Sequence, residues 1–357
     1  MAKNWNRYEP TAARPRGKPG RGVRPKSVTI DIHSHIAVPE AAAFVQPHLD
    51  LSTIPLAHFA TPDTKAVNQQ QEADRRSRMI DFDDRLADLD AMGIDIQVVK
   101  PPPPQCYYTV PLDIAVKAAQ IVNDGMADYV SRKPDRFVAF GTVPMPDGVE
   151  AANELERCVK TLKFKGVQIL TNVGGKELSD PAFAPFWKRA EELGALVVLH
   201  PNGFTEAQRL SRFYFNNVIG NPLETTIALH YLIFDGVLER HPNLKILAVH
   251  GGGYLGAYSG RIDHAWGARS DCQTTLPQPP TSYLKKIYVD TVVFTPAARP
   301  AKRSGAARSA VEVIGATSIA RPTAITITPG SGTSGFVLRM NVSSRNPTAI
   351  TIGASMR

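Results

Sequence analysis

The stretch Val28-Thr29-Ile30-Asp31-Ile32-His33-Ser34-His35 is a short β-branched apolar run that ends in two histidines one residue apart. Read as a buried strand over 28–32, it delivers two imidazoles, from the strand tip and the first loop residues, toward one point in space. Two neutral nitrogen ligands that close together suit a borderline divalent metal such as zinc. Histidine pairs also arise in loops that bind nothing, so this pair gains its meaning from partners elsewhere in the chain.

Runs of the same kind recur at 94–99, 137–143, 166–170, 196–199, 244–249 and 287–294, which brings the candidate strands to seven. Amphipathic stretches with apolar residues three and four apart lie between them. Two of these, 85–92 and 186–193, stop at Gly93 and Gly194 and lead directly into the next run. Continuous rather than alternating apolar strands separated by helices indicate parallel strands buried on both faces. The expected fold class is therefore α/β, and seven such units over 27–296 fit a (β/α)8 TIM-type barrel, typically about 250 residues. No glycine-rich phosphate loop follows the first strand, so a dinucleotide or P-loop fold lacks its mark. The proline-containing segment 36–80 reads as a lid-like insertion after strand 1, on the face where a barrel carries its active site.

The 357 residues are 43% hydrophobic, enough for a sizeable core. Cys106, Cys158 and Cys272 are odd in number and far apart, which argues against a disulfide framework and points to a reducing compartment. With no signal-peptide core and no run near the roughly 18 apolar residues of a membrane span, the expected location is the cytoplasm. The net charge of +8 is unevenly spread: residues 1–26 carry +7, 297–357 carry +7, and the middle carries −6. The globular part is acidic, so nucleic acid and membrane are not expected partners. The basic segment 1–26 reads as a disordered arm.

Of nine histidines, His33, His35, His200 and His250 sit at or just past the end of a candidate strand. In a parallel barrel all such ends share one mouth, so four imidazoles converge from distant parts of the sequence. His48, His58, His230, His241 and His264 fall in loops or helices and read as structural or surface residues.

The segment Ile30-Asp31-Ile32-His33-Ser34-His35-Ile36, the strand-ending His200-Pro201, the run His250-Gly251-Gly252-Gly253, the helix at 85–93 and Tyr288-Val289-Asp290-Thr291-Val292-Val293-Phe294 together resemble the amidohydrolase-related family. Its type members are 2-amino-3-carboxymuconate-6-semialdehyde decarboxylase and related aromatic-acid decarboxylases. The resemblance covers about 27–296. It implies metal ligands at His33, His35 and His200, a catalytic acid or base at His250, and a homodimer. The implied metal is Zn2+, with Mn2+ as the alternative, and the implied activity is that of a metal-dependent carboxy-lyase acting on an unsaturated or aromatic small-molecule carboxylic acid. Three imidazoles leave a coordination position open, where bound water can fall from a pKa of about 15.7 to about 7. His250 can then exchange a proton with water or carbon. Lys100, Arg209 and Arg212 are candidates to clamp the substrate carboxylate. A hydrolase or hydratase of the same family is the near alternative.

After residue 296 the resemblance stops. The family closes its barrel with an eighth strand ending in a Gly-Ser/Thr-Asp-aromatic-Pro segment whose aspartate completes the metal site. Residues 297–357 contain no Asp, His, Tyr, Trp or Cys. Strand 8 is thus expected to be missing or replaced. The abrupt change near Pro296 suggests a shifted reading frame, and with it a catalytically impaired remnant. Strings at 321–328 and 346–352 have β character. Asp290 is the nearest other carboxylate, but a strand over 287–294 would hold it away from the metal.

Overall fold

The opening run forms the centre of a nine-residue strand, β1 (Ser27–His35). The computed structural model describes residues 27–273 and 276–293, and the backbone of 337–342 and 348–353. The basic arm 1–26, the 321–328 string and most of the tail lie outside the described residues. Six further strands run parallel to β1: β2 (Ile96–Lys100), β3 (Phe137–Ala139), β4 (Gly166–Ile169), β5 (Leu196–Leu199), β6 (Lys245–Ala248) and β7 (Ile287–Val289). They pair in chain order, and a single parallel bridge between Gly141 and Val167 joins the β1-β2-β3 sheet to β4-β5-β6-β7. Sequential parallel pairing with intervening helices is the arrangement of a (β/α)8-type barrel.

Two apolar layers hold it together. Val28, Ile30 and Ile32 pack with Ile96, Val98, Leu196, Val198, Leu247 and Val249 as the barrel interior. The alternate residues Val197, Leu199, Ile246 and Ala248 belong to a second, larger cluster with Phe186, Trp187 and Ala190 of the surrounding helices. Strict alternation along β1 would therefore turn His33 and His35 outward, with Asp31. The pairing with β2 instead shifts between Asp31 and Ser34, and the His33 N–H bonds the Asp31 carboxylate at 3.1 Å. An irregularity of this kind reverses the facing of everything beyond it. Both isoleucines and both histidines consequently face inward.

The helices follow their sequence punctuation. Segment 36–80 contains α1 (Pro39–Val45) and α2 (Pro62–Ile80), the latter with no buried residue. Next come α3 (Phe82–Met92), capped by Asp81 and closed by left-handed Gly93, then α4 (Leu112–Ser131) and α5 (Gly148–Lys160). Beyond them lie α6 (Ala184–Glu192), α7 (Asn221–Phe234) and α8 (Leu255–Ala268). No helix among the described residues is long and apolar enough to cross a membrane.

Strands β3 and β7 are shorter than expected because the chain leaves the ladder early, at Ala139 and at Val289, whereas β2 begins two residues late, at Ile96, and runs on to Lys100. On the free side of β1 the tail segment Thr348–Gly353 runs parallel to it, from Ser27 opposite Ala349 to Asp31 opposite Gly353. Val337–Val342 pairs antiparallel on its far side. The place beside β1 where an eighth strand would stand is thus taken by Thr348–Gly353, a segment without a carboxylate. Among the described residues, β7 pairs only with β6.

Candidate active site

Four histidine rings meet at the C-terminal ends of the strands. The ring centroids of His33, His35 and His200 lie 5.1–5.3 Å apart, and one ring nitrogen of each lies within 4.8 Å of the others. His250 stands against this trio, 5.5 Å from His33 and 5.1 Å from His200. All four residues singled out by sequence are therefore together.

The hydrogen bonds sort their nitrogens. His35 Nδ1 lies 3.1 Å from the Pro101 carbonyl and His200 Nδ1 2.8 Å from the Pro201 carbonyl. Carbonyls only accept, so each Nδ1 carries the proton and each Nε2 keeps its lone pair. His33 Nδ1 lies 2.6 Å from Asp290 Oδ2, deep inside the protein. Burial alone would raise the Asp290 carboxyl, but the bond from His33 and the nearby His33, His250 and Gly251 N–H outweigh it and bring it down to about 2. An ionised Asp290 likewise fixes the proton of His33 on Nδ1. Burial, followed by the neighbouring imidazoles, pushes His35 and His200 well below the usual histidine range, so both rings are neutral. Three imidazoles, each anchored through Nδ1 with Nε2 left for a ligand, match the donor set and outer-sphere support of a three-histidine metal site with an open position.

His250 is held differently. Its Nδ1 is buried without a hydrogen-bond partner among the described residues, and burial and then His33 lower the ring to about 4, against the pull of Asp290. It begins a turn in which His250, Gly251, Gly252 and Gly253 all take positive φ, from 56° to 77°. A Cβ on Gly251 would come within 2.4 Å of Val293 Cγ1, and one on Gly253 within 2.3 Å of the Pro222 carbonyl. The three-glycine run, which fits no phosphate-loop pattern, is explained by this tight left-handed turn at the foot of the proton-exchanging candidate.

Asp290 was misplaced by sequence reading. Because β7 ends at Val289, Asp290 is the first residue past the strand, and its carboxylate turns into the site rather than staying in the sheet. In sequence Asp290 lies inside the apolar run 287–294, so nothing there marks it as strand-ending in the way His200 and His250 are marked. Of the candidate clamp residues, Lys100 ends β2 opposite His35 and lies near enough to His35, Asp31 and Asp290 to feel their charge, but its ammonium is taken up by the protein itself. Lys100 is fully buried with Nζ donating to the Ile32 carbonyl at 2.5 Å, and burial lowers its ammonium to about 8. Arg209 and Arg212 are exposed.

At the same end, loops after β1, β2, β4 and β5 enclose a cavity of about 620 Å³ whose walls include Ile54, Phe59, Tyr107, Tyr108, Leu170 and Asn202. Among the described residues no Lys or Arg lines it, and His58, read as a structural or surface residue, is exposed and forms part of its rim. The helical turn Pro55–His58 is fastened over it: Leu56 N–H bonds the Asn202 carbonyl at 3.3 Å, and the Asn216 side-chain amide bonds the Pro55 carbonyl at 3.0 Å.

Comparison with known proteins agrees with this geometry. Residues 30–271 match the family model for amidohydrolases. The chain is 34% identical over 270 residues to 2-amino-3-carboxymuconate-6-semialdehyde decarboxylase of Dictyostelium discoideum, covering 75% of each chain. It is 30% identical to gamma-resorcylate decarboxylase of Rhizobium radiobacter, over 65% of this chain and 74% of that one. In structure it resembles 5-carboxyvanillate decarboxylase of Novosphingobium aromaticivorans, crystallised with manganese and 4-hydroxy-3-methoxy-5-nitrobenzoic acid. The TM-score is 0.69 at 26% identity, over 79% of this chain and 83% of that one.

Proposed function

The chain belongs to the amidohydrolase family, and from that premise we propose that it is a metal-dependent carboxy-lyase acting on a small aromatic or unsaturated carboxylic acid. The observation that carries this reading is the division of labour among the four histidines. His33, His35 and His200 have their Nδ1 atoms tied down, while His250 keeps a buried Nδ1 with no partner among the described residues. The first three would hold Zn2+, or Mn2+ as in the related 5-carboxyvanillate decarboxylase. When bound, such a cation supplies Lewis-acid polarisation of the substrate's oxygens.

The protein's own part is to orient the acid and move one proton. An anionic substrate beside His250 favours the protonated ring, which offsets the desolvation that otherwise keeps it neutral. His250 then delivers that proton to the carbon bearing the carboxylate. The carbon–carbon bond breaks as CO2 leaves, and its electron pair stays on the carbon that has gained the proton. The cavity at the same end of the strands, walled by Ile54, Phe59, Tyr107 and Leu170 though by none of the four histidines, would take the flat ring of such an acid. On this reading the enzyme is a cytoplasmic homodimer, a location consistent with its three unpaired cysteines. A second reading, an impaired remnant, is favoured by one observation: the segment beside β1 carries no carboxylate.

Metal content and CO2 release separate the two. The decarboxylase reading expects one bound metal per chain and CO2 released from an aromatic acid panel. His200→Ala should lose both, whereas His250→Ala should keep the metal and lose CO2 release by about 10²-fold or more. Metal-loaded protein that is silent on the whole panel would favour the remnant.

A further inference from the structure

One carboxylate reaches two parts of the site that come from opposite ends of the chain. Asp290 Oδ2 receives the Nδ1 proton of His33 at 2.6 Å, and Oδ1 accepts the Gly251 N–H at 2.9 Å and the Val292 N–H at 3.1 Å. The residue is 3% exposed and its carboxylate has no access to solvent. The other two rings of the trio rest on neutral carbonyls, so among the three His33 is the one backed by an anion.

We infer that Asp290 is a positioning residue that sets the tautomer of His33 and the backbone of the His250 turn at once. The inference rests on the reading of His33 as a metal ligand. Holding the proton on Nδ1 leaves the Nε2 lone pair for the cation, and an anionic partner makes that nitrogen a stronger donor. The second arm is conformational. His250 and Gly251 sit at φ of 56° and 67°, a region that strains a residue carrying a Cβ, as His250 does. The bond from Gly251 N–H to Asp290 Oδ1 pins the chain there. The chemistry requires a carboxylate, because both arms present N–H donors. An asparagine has a single acceptor oxygen; with that oxygen on Gly251, its amide N–H faces His33 Nδ1, and two donors cannot share that contact. His33 would then move its proton to Nε2, the nitrogen needed for the metal.

The tautomer is read directly in metal-free protein by ¹⁵N spectroscopy of labelled histidines. The unmodified protein should show His33 protonated on Nδ1, and Asp290→Asn should show it protonated on Nε2, with Mn2+ affinity reduced about 10–100-fold. Asp290→Asn should keep the Gly251 amide protected from hydrogen exchange, whereas Asp290→Ala should lose that protection. An Nε2–H tautomer for His33 in the unmodified protein overturns the inference, and this measurement needs no variant to fold. Equal Mn2+ affinity in folded Asp290→Asn overturns it too. If instead the unmodified protein binds neither Mn2+ nor Zn2+, the proposed function fails, while the tautomer result still decides the link between Asp290 and His33.

Discussion

Glu224 shows how far a single buried group departs from its sequence appearance. It is 2% exposed, near the start of α7, and burial raises its carboxyl from 4.5 to about 7, opposed by a weak bond from Thr205 N–H and reinforced by Glu177 and Glu206. The folded protein therefore holds a proton that the unfolded chain has released. Stability is full below about pH 4.5, falls as pH rises through the folded value, and above it carries a constant cost of about 3 kcal/mol. Glu224→Gln keeps an acceptor for Thr205 without the charge. Urea unfolding should show the variant more stable than the parent by about 2–3 kcal/mol at pH 8 and equal to it near pH 4. A gain of the same size at both values would show that the charge is not the cause. The histidines were far easier to read than this carboxylate. Each closes an apolar run, and barrel geometry gathers strand ends without knowledge of any loop. Asp290 was hidden by a single boundary, since apolar composition extends to Phe294 while the ladder stops at Val289.

Individual elements were legible where backbone chemistry is local. The stop of α3 at Gly93 and the strand over Leu196–Leu199 follow from glycine and a continuous apolar run. The shift inside β1 does not, because Ile30-Asp31-Ile32-His33 alternates without a break. Only the neighbouring strand shows which way each residue faces. The turn His250–Gly252 and its following Gly253 extend this to catalysis. Adding a methyl group at Gly253 would push against the Pro222 carbonyl and Thr226 Oγ1, 2.3 and 2.4 Å away, and displace the His250 ring without touching the trio. A displacement near 1 Å costs about 10²-fold in rate. Gly253→Ala is thus expected to lower kcat by that order while metal content stays stoichiometric; parallel loss of metal would mean that the whole mouth has collapsed. A helix cap remote from the mouth gives the contrast. Asp147 accepts from the Val149 and Glu150 N–H groups at the start of α5, so Asp147→Ala should cost about 1 kcal/mol in thermal unfolding, with metal content and kcat unchanged.

At the scale of the whole molecule the chain changes character near Pro296. From residue 27 to β7 every strand is followed by the signals that build the next unit, the net charge over 27–296 is −6, and the family match runs to residue 271. Beyond 296 the carboxylates almost vanish, the charge turns to +7 over 61 residues, and the backbone of Thr348–Gly353 lies along β1 with no ladder to β7 among the described residues. A barrel strand 8 has to pair with both β7 and β1 to remove the two free edges, whereas Thr348–Gly353 lies between β1 and Val337–Val342, and among the described residues β7 keeps an unpaired edge. An evolved replacement would be expected to restore both pairings. A shifted reading frame carries no such requirement and accounts for the compositional break at a single point. The coding DNA decides between them. Translation of the two other frames after codon 296 should reveal, in one of them, a helix followed by a Gly-Ser/Thr-Asp-aromatic-Pro segment within about 50 codons, the length of one or two βα units. A chain rebuilt in that frame should melt at higher temperature and bind Mn2+ more tightly than the present one. If neither frame encodes the segment, the shifted-frame reading fails and the pairing of Thr348–Gly353 along β1 stands as part of this fold.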